Sequence, residues 1–329
     1  MDCAALAAGL TSRLPICDDA QHINQDFTPV HPCRAGFTFS LRMMTHRALT
    51  SVGPSDAAEA AIWLPVPNEL FQRRARRFGV LAATQPALEG FLTLMAEIGE
   101  LQTIAARQAL AGPRADSLDW RALLRAWCEE ARLSAPWALS EAMRETRSVT
   151  DDELDQWADG VMRGTPAPAV LAILPLLAAA LQVDLTLRAA RADQPAPVSD
   201  VAAPVCPTCG GWPVAGVLHH QGDRQGARYL HCAWCATAWL QPRIQCVQCR
   251  ETRAVAYQSI EGTEAVVRAE TCDACGTYLK QVYLGVSPTA DPVADDLASM
   301  ALDLLLAEQG YRRLGSNPLL GLTGEPLRG

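Results

Sequence analysis

Eight of the chain's twelve cysteines stand in four Cys-x-x-Cys pairs between Cys206 and Cys275. The pairs are Cys206-Pro-Thr-Cys209, Cys232-Ala-Trp-Cys235, Cys246-Val-Gln-Cys249 and Cys272-Asp-Ala-Cys275, separated by 22, 10 and 22 residues. Moving the first four cysteines forward by 40 positions lands on the last four, and Gly222 and Gly262 stand the same 40 apart. The array is therefore an internal repeat of one module that carries two cysteine pairs. Each glycine lies in the loop between pairs, where a hairpin needs a turn residue. Val217-Leu218 and Val255-Ala256-Tyr257 lead in as strands would, and Tyr229-Leu230 and Val266-Val267 lead out.

Clustering in pairs at these spacings is a metal signature before it is a disulfide one. A two-residue spacer lets both thiolates of a pair face one ion, and a hairpin brings the second pair round to close a tetrahedron. Each module spans only 30 residues from first to last cysteine. That is too few for a hydrophobic core of its own, so the metal must supply folding free energy on the order of 10 kcal/mol. The repeat favours sequential pairing, with Cys206, Cys209, Cys232 and Cys235 around one ion and Cys246, Cys249, Cys272 and Cys275 around another. Tetrahedral sulfur ligation suits zinc or iron. The glycine after Cys209 and Cys275 is the small residue that rubredoxin knuckles also use. Dithiol catalysis of the thioredoxin kind needs one pair, not four at repeat spacing. His219, His220 and His231 are surplus as ligands, although His231, next to Cys232, is placed to lie just outside the ligand set.

The rest of the chain is long enough, at 329 residues, for two or three domains, and at 49% hydrophobic it has material for a core. Residues 1–62 are a poorly patterned extension broken by Pro15, Pro29, Pro32 and Pro54. Within it Cys3, Cys17, His22, His31 and Cys33 match no ligand spacing, and Met43 is a candidate for the biological start. Residues 63–191 read as an all-helical domain. Asn68 is placed to cap a first helix carrying Leu70, Phe71, Phe78 and Leu81; further stripes are Phe91, Leu94, Met95, Ile98 and Leu101, and Trp120, Leu123, Leu124 and Trp127. Asp151, Asp152, Glu153 and Asp155 suit a helix start. Residues 192–205 hold three prolines and form a linker. The four-cysteine modules occupy 206–245 and 246–287, and 288–329 hold a C-terminal helix and tail, with Asp291-Pro292 as cap and first turn and Gly310 as stop. The fold class expected is thus an N-terminal helical domain, two tandem rubredoxin-like or zinc-ribbon-like modules and a C-terminal helix.

Asp2 precedes a short Ala-rich run at Ala4–Leu10, without the basic start of a secretory signal, so the expected location is cytoplasmic. The longest charge-free apolar run, Ala167 to Leu181, is 15 residues with two prolines, which reads as a buried helix and not a membrane span. No nucleophile motif, phosphate loop or His-Glu-x-x-His pattern is present in the sequence.

Several stretches together resemble one family. They are Arg228-Tyr229-Leu230-His231-Cys232, Cys246-Val247-Gln248-Cys249 and Ala269-Glu270-Thr271-Cys272-Asp273-Ala274-Cys275-Gly276-Thr277-Tyr278-Leu279-Lys280. The tail adds Val293-Ala294-Asp295-Asp296-Leu297-Ala298, Glu308-Gln309-Gly310-Tyr311 and Ser316-Asn317-Pro318, and the helical end adds Leu70-Phe71-Gln72-Arg73-Arg74-Ala75-Arg76-Arg77, with Gln102. From about Pro65 to Pro318 the chain resembles FdhE, the bacterial formate dehydrogenase accessory protein. The resemblance implies a cytoplasmic, chaperone-like factor needed for active respiratory formate dehydrogenase, the molybdenum or tungsten selenoenzyme exported by the twin-arginine route. It implies iron held rubredoxin-fashion by the eight cysteines, contact with the catalytic subunit, and no enzymatic activity. Trp234, Trp239 and the long N-terminus depart from the family pattern.

Two other classes compete with that reading. A nucleic-acid-binding zinc ribbon needs a basic array, whereas residues 206–287 hold seven Arg and Lys against six acids, and the whole chain carries a net charge of -8. A rubredoxin-like electron-transfer or thiol-redox protein is compatible with four-sulfur ligation. The basic run containing Arg73, Arg74 and Arg77 stands out on an acidic chain, either as a solvated helix face or as a surface for the client.

Overall fold

The computed structural model describes residues 41–44, 61–112, 118–192, 204–220, 225–260 and 265–320. The Cys3, Cys17, His22, His31 and Cys33 constellation, Gly222 and Gly262 lie outside these. Helices follow the apolar stripes: α1 Pro67–Thr84, α2 Glu89–Ala111, α3 Trp120–Glu130, α4 Trp137–Thr146, α5 Asp151–Met162 and α6 Leu174–Ala190. α1 starts one residue before Asn68, because Pro67 has no amide proton to lose in a first turn, and Val66 at the cap offers no side-chain bond. α5 is closed by a reciprocal cap in which the Thr150 and Glu153 side chains accept from each other's backbone N–H. The apolar run from Ala167 opens as a single tight turn at Pro168–Val170, and the helix itself begins at Leu174 with Pro175 in its first turn. α6 is buried along almost its whole length and packs against α2, α3 and α5.

The cysteine modules form one continuous sheet. The first contributes β3 Pro213–Leu218, β4 Arg228–Cys232 and β5 Ala238–Gln241; the second contributes β6 Val255–Ile260, β7 Val267–Cys272 and β8 Thr277–Tyr283. Each trio is antiparallel, and β3 and β8 join them in parallel with Gly216 opposite Gln281. The Gln281 side-chain amide fills the space over Gly216: its oxygen lies 2.0 Å from where a Cβ there would be, so a larger residue would displace that amide. Short strands from the N-terminal part finish both edges, β1 Leu41–Met44 on β6 and β2 Ile62–Trp63 on β5. A chain starting at Met43 would keep half of β1.

Buried charge also ties the trios together. Arg228 of the first gives two 2.7 Å hydrogen bonds to Glu270 of the second and a third to the Gln245 carbonyl, while the Tyr257 hydroxyl donates to Glu270.

After the sheet, the C-terminal helical segment divides at Ser299 into α7 Pro292–Ala298 and α8 Met300–Glu308. Side chains take the backbone acceptors at the break. The Ser299 hydroxyl donates to the Asp295 and Asp296 carbonyls, and Lys280 Nζ donates to those of Asp296 and Ser299. Lys280, the chain's single lysine, is buried between the Asp296 and Asp303 carboxylates. β9 Arg312–Arg313 follows beside β8. Asp291 caps α7 as its sequence suggests, accepting from Val293 and Ala294 N–H at 2.9 Å.

Helices and sheet share one core. Phe71, Ile98, Leu124 and Leu177 belong to the same buried cluster as Val214, Leu230, Trp239, Leu279 and Leu297. Two polar links reinforce it. Arg74 pairs with Asp291 and Arg77 forks onto Asp295, fastening α1 to α7. The Gln102 amide donates to Gln182, whose own amide donates to the Ala233 carbonyl at 2.8 Å, inside the second knuckle of the first module.

Candidate metal centres

The eight paired cysteines gather into two groups, Cys206, Cys209, Cys232 and Cys235, and Cys246, Cys249, Cys272 and Cys275, each with its sulfurs within 4.8 Å of one another. A tetrahedral ion with metal–sulfur bonds of about 2.3 Å sets sulfur–sulfur edges of about 3.8 Å. The closest edges are 3.5 Å for Cys206–Cys235, 3.4 Å for Cys209–Cys232, 3.7 Å for Cys246–Cys275 and 3.6 Å for Cys249–Cys272. The donor set therefore fits a closed four-sulfur site, and zinc and iron both suit it.

Three of the four pairs close the same backbone turn. Gly210, Arg250 and Gly276 each donate their N–H to the carbonyl of the first cysteine of their pair, at 2.8–2.9 Å. The residue after the second cysteine is left-handed in all four knuckles, with φ +73° at Gly210, +57° at Ala236, +63° at Arg250 and +65° at Gly276. Glycine adopts this without cost; Ala236 and Arg250 do not. Backbone N–H groups of Thr208 and Trp234 point at the Cys206 and Cys232 sulfurs.

Burial pushes the Cys232, Cys246 and Cys272 thiols up, and a metal takes cysteine as thiolate, so ligation by these three would release protons. The histidines stay out of both groups: His219 packs edge-on against Tyr229, and burial brings His231 down to about 4, keeping it neutral.

The sequence-selected arginines divide. Arg73 is exposed, Arg74 is 3% exposed on Asp291, and Arg77 is held by Asp295, so two of the three turn inward as clamps. Sequence reasoning missed Gln182 and the Arg228–Glu270 pair. It also missed Thr237 and Thr277, although the latter two stand 40 residues apart and the repeat could have marked them.

A helical domain sharing its core with a sheet that carries two four-cysteine centres defines the class of protein: a metal-ribbon protein built on a helical base. Family comparison is specific beyond that. Residues 60–119 and 112–200 match the FdhE N-terminal family, 205–243 the FdhE central domain and 244–320 the FdhE C-terminal domain. An FdhE homolog from Stutzerimonas stutzeri (strain A1501) is 33% identical over 284 residues, covering 77% of this chain and 90% of the relative. One from Rhizobium meliloti (strain 1021) is 35% identical over 282 residues, covering 77% and 91%. The crystal structure of the FdhE protein from Pseudomonas aeruginosa superposes with a TM-score of 0.71 at 33% identity, covering 80% of this chain and all of that one. The chain belongs to the FdhE family of formate dehydrogenase accessory proteins. Among the described residues no helix is long and apolar enough to cross a membrane.

Proposed function

We propose that this chain is a non-enzymatic maturation factor of the cytoplasm that binds the catalytic subunit of respiratory formate dehydrogenase before export, with a metal ion, iron or zinc, in each four-cysteine centre. The observation that carries this reading is the agreement with FdhE from residue 60 to residue 320, a span that includes all eight grouped thiols. Within it Arg73 offers exposed charge to the client, while Arg74 and Arg77 hold the helix that presents it.

The deciding experiment deletes the gene and follows formate dehydrogenase activity, its transcript, and co-purification of the apo-catalytic subunit with tagged protein. Activity should vanish with transcript intact and the subunit captured. Loss of transcript would move the reading to nucleic acid. Arg73→Glu should weaken capture in a salt-sensitive way, since charge at an interface rim acts mainly on encounter. Protein purified without air answers the metal question, because iron bound to thiolate gives a visible charge-transfer band and zinc gives none. An electron-transfer role is favoured by one feature, the exposed position of Cys249 at the second centre.

A further inference from the structure

Thr237 and Thr277 each follow the last cysteine of a module by two places. Both are buried. Thr237 Oγ1 lies 3.2 Å from Cys235 Sγ, and Thr277 Oγ1 lies 3.0 Å from Cys275 Sγ. A sulfur on a metal is a thiolate with no proton to give, so in the loaded protein the proton of each contact has to come from the threonine. In the first module the Thr208 hydroxyl is 3.1 Å from that of Thr237. Once Thr237 donates to sulfur, Thr208 donates to Thr237, and the bonds run in series toward Cys235. The counterpart of Thr208 is Gln248, so the second module has the one hydroxyl.

We propose that Thr237 and Thr277 are positioning residues for the two centres, each donating its hydroxyl proton to the last ligand thiolate of its module. Four thiolates around a divalent ion carry net negative charge in a partly buried place, and a donated proton draws some of it off one sulfur. The lone pair of that sulfur then lies lower, the negative charge of the whole centre is stabilised, and the direction of the sulfur toward the metal is fixed. The assignment is independent of the client and of the native ion.

The test uses the full chain loaded with cobalt(II), whose thiolate bonds absorb through sulfur-to-metal charge transfer. Thr237→Val and Thr277→Val delete the hydroxyl and keep the side-chain shape. Each should move the charge-transfer band of its own centre to lower energy and speed cobalt loss to a chelator about tenfold, in line with the effect of removing partners of metal ligands. The other centre should not respond, and Thr→Ser at either position should restore both readings. Thr208→Val should give a smaller change, at the first centre alone. Where a valine variant fails to hold cobalt, Ser and Ala at the same position repeat the comparison, since they differ by the hydroxyl alone. Bands and loss rates that stay the same whether or not the hydroxyl is present would overturn the proposal and leave the threonines as space-filling strand residues.

Discussion

Cys232 and Cys272 hold the same place in the two modules, and the residues after them set the modules apart. After Cys232 come Ala233, whose carbonyl is held by Gln182 from α6, and Trp234, buried in the common core. After Cys272, at the corresponding places, come Asp273, which accepts from the exposed Tyr311 hydroxyl, and Ala274, which faces solvent. The difference extends to the ligands: Cys209 is half-buried, and its counterpart Cys249 is exposed. One repeated chemistry thus serves two settings. The knuckle turn fixes the metal geometry from the cysteines alone, and the two residues between them decide whether that centre joins the core or the surface. The first centre is part of what holds helices and sheet together, and the second is a site on the outside of the same sheet.

The most severe test removes equivalent ligands. Cys209→Ser and Cys249→Ser should each release one metal equivalent, because each leaves three sulfurs in a four-ligand site. The first should also lower the main melting transition, by on the order of 10 °C, since the lost folding energy belongs to the shared core. The second should leave that transition within a few degrees. Calorimetry with metal analysis reads both, and equal falls would end the distinction.

A smaller effect probes how far the modules are separate. Arg228→Met strands Glu270 in the sheet without its cation, which should cost about 3–5 kcal/mol, and adding Glu270→Leu should recover most of it. Denaturation of the single and double variants measures the coupling. A single-variant loss below about 1 kcal/mol would mean that the modules stand independently despite their shared sheet.

Chelator kinetics ask the same question without mutation. Metal should leave in two phases, with Cys249 and Cys275 alkylated in the fast one and Cys206, Cys232 and Cys235 in the slow one. Cys128 serves as the internal reference: burial raises its thiol to about 11, so at pH 8 it should be labelled only on unfolding. Peptide-level mass spectrometry gives the order, and first-centre cysteines labelling first would reverse the comparison.

The sequence carries the metal geometry and hides the setting, for a physical reason. A knuckle is local: its ligands, turn and left-handed residue fall within five positions, so spacing alone predicts the two groups. What buries the first centre is not local. Gln182 reaches Ala233 across 51 residues, and Arg74 meets Asp291 across 217. No periodicity reports such partners, and a run such as Arg73-Arg74-Ala75-Arg76-Arg77 looks uniform until the fold turns Arg74 and Arg77 inward. The resemblance rested partly on Arg228, Glu270, Lys280, Asp295, Asp296 and Asn317. In the structure these residues pair with one another or with other buried groups, so the family pattern marks internal polar contacts as well as ligands.

The smallest effect refines the comparison most finely, because each module contains one knuckle whose left-handed position lacks glycine. A left-handed L-residue costs about 1–2 kcal/mol, and the extra freedom of glycine in the unfolded chain returns about 0.5–1 kcal/mol of that. Ala236→Gly and Arg250→Gly should therefore each stabilise their own module by roughly 0.5–1 kcal/mol. Where the gain appears depends on the setting. Ala236 lies in the knuckle packed on Gln182 and the core, so its gain should raise the main melting transition by a degree or more. Arg250 follows the exposed Cys249, so its gain should appear as slower metal loss from the second centre with the main transition unmoved. A rise in the main transition from Arg250→Gly would show that the outer module is bound into the core more tightly than the exposure of Cys249 implies.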